Sequence, residues 1–127
     1  MGTKSDIRNQ RGFTLIELMA VLVIMAILFS VAAKKYNLLS DTADFRVLEA
    51  GISEINMRET LTWTNMKLSQ GGWTHDGDVF SQVNTNLGAN YSWNPGPIIT
   101  GGTLHFESQS IALTRNASTS MSAGKWK

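Results

Sequence analysis

The sequence predicts an α+β chain: a long N-terminal α-helix, its first half transmembrane, with a small antiparallel β-sheet packed on its second half. Three observations carry this prediction. Residues 13–33 form a 21-residue segment that is apolar except at Thr14, Glu17 and Ser30. Phe45, Leu48, Ile52 and Ile55 follow at spacings of 3, 4 and 3, one face of a helix, in a stretch without proline. Beyond residue 90, apolar and polar residues alternate around strong turn signals.

Composition bounds the answer. At 127 residues the chain has room for one domain, and 43% hydrophobic against 17% charged residues is ordinary for a protein with a core. A net charge of +1 lacks the basic excess of a phosphate-gripping nucleic-acid binder. The absence of cysteine excludes disulfides, thiolate metal sites and a cysteine nucleophile. Two histidines, His75 and His105, are too few for most histidine-built metal sites.

The first element begins after a polar stretch, residues 1–12, with Lys4, Arg8 and Arg11 against Asp6. Residues 13–33, free of proline and glycine, extend about 31 Å as a helix, matching a hydrocarbon core of about 30 Å. The three basic residues favour a cytoplasmic N-terminus, although Lys34 and Lys35 oppose this from the other side. Val31-Ala32-Ala33 is compatible with an ordinary secretory cleavage site. Glu17 argues against both a plain signal and a plain anchor. A carboxylate inside an apolar helix costs about 2.5–3.5 kcal/mol at its centre and less near its end, so a positive partner is expected for it.

Arg11-Gly12-Phe13-Thr14-Leu15-Ile16-Glu17-Leu18, followed by the apolar run, resembles the prepilin signal of type IV pilins and of type II secretion pseudopilins. The resemblance covers roughly residues 8–36. It implies a pilin-like fold, cleavage between Gly12 and Phe13 by a prepilin peptidase, N-methylation of the new Phe13 amine and retention of the helix. It further implies that Glu17 of an incoming subunit pairs with the Phe13 amine of a neighbour already in the filament. A carboxylate that gains a cation in apolar surroundings would fix axial register. Many members of the family carry proline where this chain has Lys34, so the kink that proline encodes is not expected here.

The helix is expected to continue to about Ser69, where Gly71-Gly72 stops it, with Ser40-Asp41-Thr42 as an alternative break. Arg46, Glu49, Glu54, Arg58 and Glu59 fall mainly off the apolar stripe, and Glu54–Arg58 is a favourable i,i+4 pair. Residues 71–90 read as a loop anchored by Trp73, Val79, Phe80 and Val83. Tyr91-Ser92-Trp93 ends at the turn Asn94-Pro95-Gly96-Pro97. Strands containing Leu104/Phe106 and Ile111/Leu113 form a hairpin across Ser108-Gln109-Ser110. His105 falls at an exposed or edge position, and residues 116–127 read as a frayed tail to which Trp126 can dock. The resulting division is a leader (1–12), a membrane and filament-core helix (13–35) and a globular part (36–127). The globular part comprises a helix (36–70), a loop (71–90), strands (91–115) and a tail.

Other chemistry finds little support. His75-Asp76-Gly77-Asp78 is the one metal-like cluster, but it lacks the alternating acids and distal glutamate of a calcium loop and reads as a turn. No nucleophile elbow or phosphate loop occurs. Asn90-Tyr91-Ser92 and Asn116-Ala117-Ser118 match a weak glycosylation pattern. The eleven aromatics read as packing rather than an electron path. From Phe13 onward eight basic against nine acidic side chains leave −1, with no basic face for DNA.

The chain therefore reads as a structural subunit without catalytic activity, cofactor or metal. It is expected in the bacterial inner membrane as a single-pass precursor in contact with lipid. After processing it is expected in a surface filament or a periplasmic pseudopilus, with copies of itself, other pilins or minor pilins, the peptidase and the inner-membrane assembly machinery as partners. A small secreted binding domain starting at Lys34 is the alternative from another class.

Overall fold

In the computed structural model, which describes Gly2 and residues 12–127, the element order is α1 (Leu15–Leu68), α2 (Asp76–Gln82), β1 (Tyr91–Trp93), β2 (Gly101–Phe106), β3 (Gln109–Asn116) and β4 (Lys125–Trp126). The chain divides into two compact units, with the boundary after Leu38. Of the leader expected at 1–12, all but Gly2 and Gly12 lies outside the described residues.

The first unit is the apolar half of α1. Its side chains are exposed throughout, including Leu22, Ile24, Leu28 and Phe29. Among the described residues this is a helix long and apolar enough to cross a membrane. Without a proline at Lys34, the backbone hydrogen-bond ladder has no missing donor there, and α1 continues through Lys34 and through Ser40-Asp41-Thr42. The alternative break at Ser40 does not occur.

In the second unit a four-stranded antiparallel sheet, ordered β1-β2-β3-β4, lies with α2 against the later turns of α1. Leu48 and Ile55 of the apolar stripe meet Leu104, Leu113 and Trp126 in the buried core, with Ile52, Phe80 and Tyr91 against it. Gly51, the single glycine of α1, is explained by that packing. A Cβ there would stand 2.7 Å from a ring carbon of Tyr91, whose hydroxyl donates to the Val47 carbonyl at 2.8 Å.

Four local expectations are corrected. Residues 71–90 are not all loop, because α2 forms with His75 as its N-cap, the imidazole Nδ1 accepting from the Asp78 amide. Val79 and Val83 anchor this segment in the interior as the sequence suggested. The β2–β3 connection is tighter than Ser108-Gln109-Ser110: Phe106 pairs with Gln109 and His105 with Ser110, leaving Glu107 and Ser108 as the turn. His105 consequently sits on a strand paired on both sides, its Nε2 3.1 Å from the Asn94 carbonyl. The tail is not frayed. It returns as β4 beside β3, and Trp126 is 1% exposed, with ring centroids 5.2 Å from Trp93 and 6.5 Å from Phe80. The Asn56 side chain fixes the backbone of Trp126 at both its amide and carbonyl, and Trp63 Nε1 and Lys67 Nζ donate to the carbonyls of Thr119 and Ser120.

Glu59 is the fourth correction. It lies four residues beyond Ile55, on the apolar stripe rather than off it, and is fully buried. Arg115 occupies the inward face of β3 after Ile111 and Leu113, and reaches Glu59 with Nε (2.5 Å) and Nη2 (3.1 Å). The same guanidinium bridges to both oxygens of Asp76, at 2.7 and 2.9 Å, and lies 5.0 Å above the Phe80 ring. Trp126 Nε1 donates to Glu59, while the Ser118 amide and hydroxyl both donate to Asp76. Every ionic group in this cluster is therefore hydrogen-bonded, the condition under which buried charge is tolerated. Burial alone would raise the Asp76 carboxyl, but Arg115 and Ser118 prevail and hold it below the ordinary aspartate value. Burial likewise opposes the charge of Arg115, and its bonds to Asp76 and Glu59 reverse this and raise its pKa. The pair Glu54–Arg58 forms at 2.8 Å, and Arg58 also donates to the carbonyls of Asn84 and Asn86.

Candidate processing and assembly site

The residues that the sequence singles out, Gly12, Phe13 and Glu17, lie just before and within the first turn of α1. Gly12, Phe13 and Thr14 precede the helix in backbone without regular structure, and Phe13 is 85% exposed. A Cβ built on Gly12 meets nothing within 4 Å, so packing within the described residues does not demand glycine there. The bond between Gly12 and Phe13 thus lies in accessible, non-helical chain.

Helix initiation at Leu15 follows from two reciprocal hydrogen bonds. The Thr14 hydroxyl accepts from the Glu17 amide, and the Glu17 carboxylate accepts from the Thr14 amide, both at 3.2 Å. This is a capping box, in which two donors left unpaired by the first helical turn are satisfied by side chains three residues apart. The positive end of the helix dipole adds a further favourable interaction for a carboxylate in the first turn. The Thr14-x-x-Glu17 spacing is the sequence signal for this arrangement. Among the described residues no hydrogen bond joins Glu17 to Phe13. Within the chain Glu17 meets Thr14, whereas the expected pairing with Phe13 is one between subunits.

From Leu15 to Phe29 the large apolar side chains are more than half exposed. Such a surface belongs in lipid or against other helices.

The metal-like cluster is accounted for by folding. Asp76 belongs to the Arg115 network, His75 caps α2, and Asp78 accepts from the Thr74 hydroxyl. Of the two glycosylation patterns, Asn90 and Asn116 are exposed, while Ser118 of the second is buried against Asp76.

No curated protein and no solved structure matches this chain. Residues 7–33, about a fifth of its length, match the family model described as the prokaryotic N-terminal methylation motif, the type IV prepilin-like signal.

Proposed function

We propose that this protein is a structural subunit of a type IV pilus or related filament. A prepilin peptidase cuts it between Gly12 and Phe13, the Phe13 amine is methylated, and the mature chain polymerises through residues 13–35. Glu17 then pairs with the Phe13 amine of a neighbouring subunit. The observation that carries this reading is the coincidence of the methylation motif with an exposed apolar helix beginning two residues after the cleavage position. A glycine at position 12 that local packing does not require is what recognition by an outside enzyme would need. Copies of itself and other pilins would cover the apolar face, and lipid would do so before assembly.

Glu17 has a consistent place in this scheme. Thr14 satisfies part of its hydrogen-bonding capacity while the subunit is alone in the membrane. A carboxylate accepts at two oxygens, so it can add the ammonium of a neighbour without losing the cap. The test is intact mass and N-terminal peptide mapping of protein from native membranes or sheared filaments. A chain beginning at methylated Phe13 is expected, and a chain beginning at Lys34 overturns the proposal.

A further inference from the structure

We infer that Lys34 and Lys35 form a headgroup-binding collar that sets the depth of α1 in the bilayer by gripping anionic phospholipid phosphates. The inference rests on the membrane-spanning reading of residues 13–33 and adds a ligand to it. Both lysines are exposed and neither ion-pairs with any described residue. They follow the apolar run directly, and Tyr36, 73% exposed, comes next. Two long cationic side chains and a phenol at one level are the residue types that settle at the headgroup boundary.

Their position along the helix gives the collar a consequence. Lys34 lies 17 residues beyond Glu17, a rise of about 26 Å in continuous helix. With the lysines at one edge of a hydrocarbon layer of about 30 Å, Glu17 comes within about 4 Å of the other edge. The Thr14–Glu17 box then stands at the water boundary, and the Gly12–Phe13 bond lies outside the hydrocarbon where a peptidase can reach it. The sequence also shows what the collar prevents. Leu38 and Leu39, both exposed, follow Asn37, so without the lysines the apolar surface would continue for another turn and the helix could slide. Attraction of lysine to an anionic surface amounts to roughly fivefold per residue, or roughly thirtyfold for the pair, enough to hold one position against a one-turn shift.

The test uses the full chain reconstituted in vesicles of phosphatidylethanolamine and phosphatidylglycerol. The absence of native cysteine makes single-cysteine labelling with a membrane-impermeant maleimide clean. Labelling rates at Leu22→Cys, Ser30→Cys and Asn37→Cys are each divided by the rate in detergent. Position 37 is expected to label and positions 22 and 30 to be protected. Lys34→Leu with Lys35→Leu should slow labelling at 37 by tenfold or more, Lys→Gln at both should slow it less, and Lys→Arg at both should leave it unchanged. Replacing phosphatidylglycerol with phosphatidylcholine should slow position 37 in the wild type. An unchanged rate at 37 in the Leu and Gln variants, or indifference to anionic lipid, overturns the collar while protection at 22 preserves the membrane span. Free labelling at 22 overturns the span and the collar with it.

Discussion

Replacing Arg115 by methionine should cost the globular part about 3–5 kcal/mol, the range for breaking a buried ion pair by removing one partner. The magnitude follows from what is stranded. Arg115 supplies two of the three hydrogen bonds to the fully buried Glu59, and without it only Trp126 Nε1 donates to that carboxylate. Asp76 fares better, because the Ser118 amide and hydroxyl remain and its side chain is 15% exposed. Most of the loss should therefore be traceable to Glu59. Adding Glu59→Gln to Arg115→Met removes the stranded charge while keeping an acceptor for Trp126, and should recover at least about 1–2 kcal/mol. Urea unfolding of the full chain in detergent micelles, followed by tryptophan fluorescence, reads this directly because Trp93 and Trp126 pack in the same core. A loss below about 1 kcal/mol for Arg115→Met, or strict additivity of the two substitutions, would refute the argument that the pair is structurally coupled.

Four further outcomes are expected. Asp76 has a lowered pKa in the fold, so its contribution is complete above the unfolded value of 3.8 and is lost as pH falls through the lower folded value; the urea midpoint should drop below about pH 4, less steeply in Asp76→Asn. Gly51→Ala should destabilise by about 1–3 kcal/mol in thermal unfolding despite a helix-propensity gain of about 1 kcal/mol, because the added Cβ meets the Tyr91 ring held by its bond to Val47. At the N-terminus, Thr14→Val should fray the first turn of α1 at a cost of about 1 kcal/mol, visible as faster amide exchange at residues 15–17. Glu17→Gln should keep most of that protection yet abolish filament assembly in cells, and normal piliation in that variant would contradict the charge-pairing role.

The parts of the fold legible in the sequence are those governed by local periodicity. The apolar run, the Phe45–Ile55 stripe and the alternation around Leu104 and Leu113 each depend on a repeat visible within a dozen residues. What escaped were contacts between distant segments. Glu59 and Arg115 are separated by 56 residues, and each looks like a surface charge beside its neighbours. Yet both carried a signal, since Glu59 continues the stripe at the next step of four and Arg115 continues the alternation of Ile111 and Leu113. Two misfit charges of opposite sign, each in register on an apolar face, are the pattern of a buried pair. Docking of the tail had no comparable local sign, because Trp126 becomes a core residue only when Asn56 and Phe80 are brought to it. The short α2 was hidden for a similar reason: seven residues are marginal as a free helix, and it is the burial of Val79 and the Asp76–Arg115 contact that hold it.

The two parts of the chain differ in what they ask of partners. In residues 39–127 nearly every unusual choice is answered from within: Gly51 by Tyr91, Gly124 by the Glu59 and Arg115 side chains that a Cβ would strike, Asp76 by Arg115 and Ser118. Residues 12–38 are different. Thr14 and half the demands of Glu17 are met by the cap, but nothing in the described residues requires glycine at 12, covers the apolar face from Leu15 to Phe29, or pairs with Lys34 and Lys35. A fold has no use for such residues by itself. The three kinds of unmet demand, a small residue at an exposed peptide bond, an uncovered apolar helix and a cationic band at its end, fit the three kinds of partner proposed above: an enzyme, other helices and lipid. The methylation motif matches residues 7–33, so the lysine pair proposed to meet the headgroups lies just beyond the matched residues.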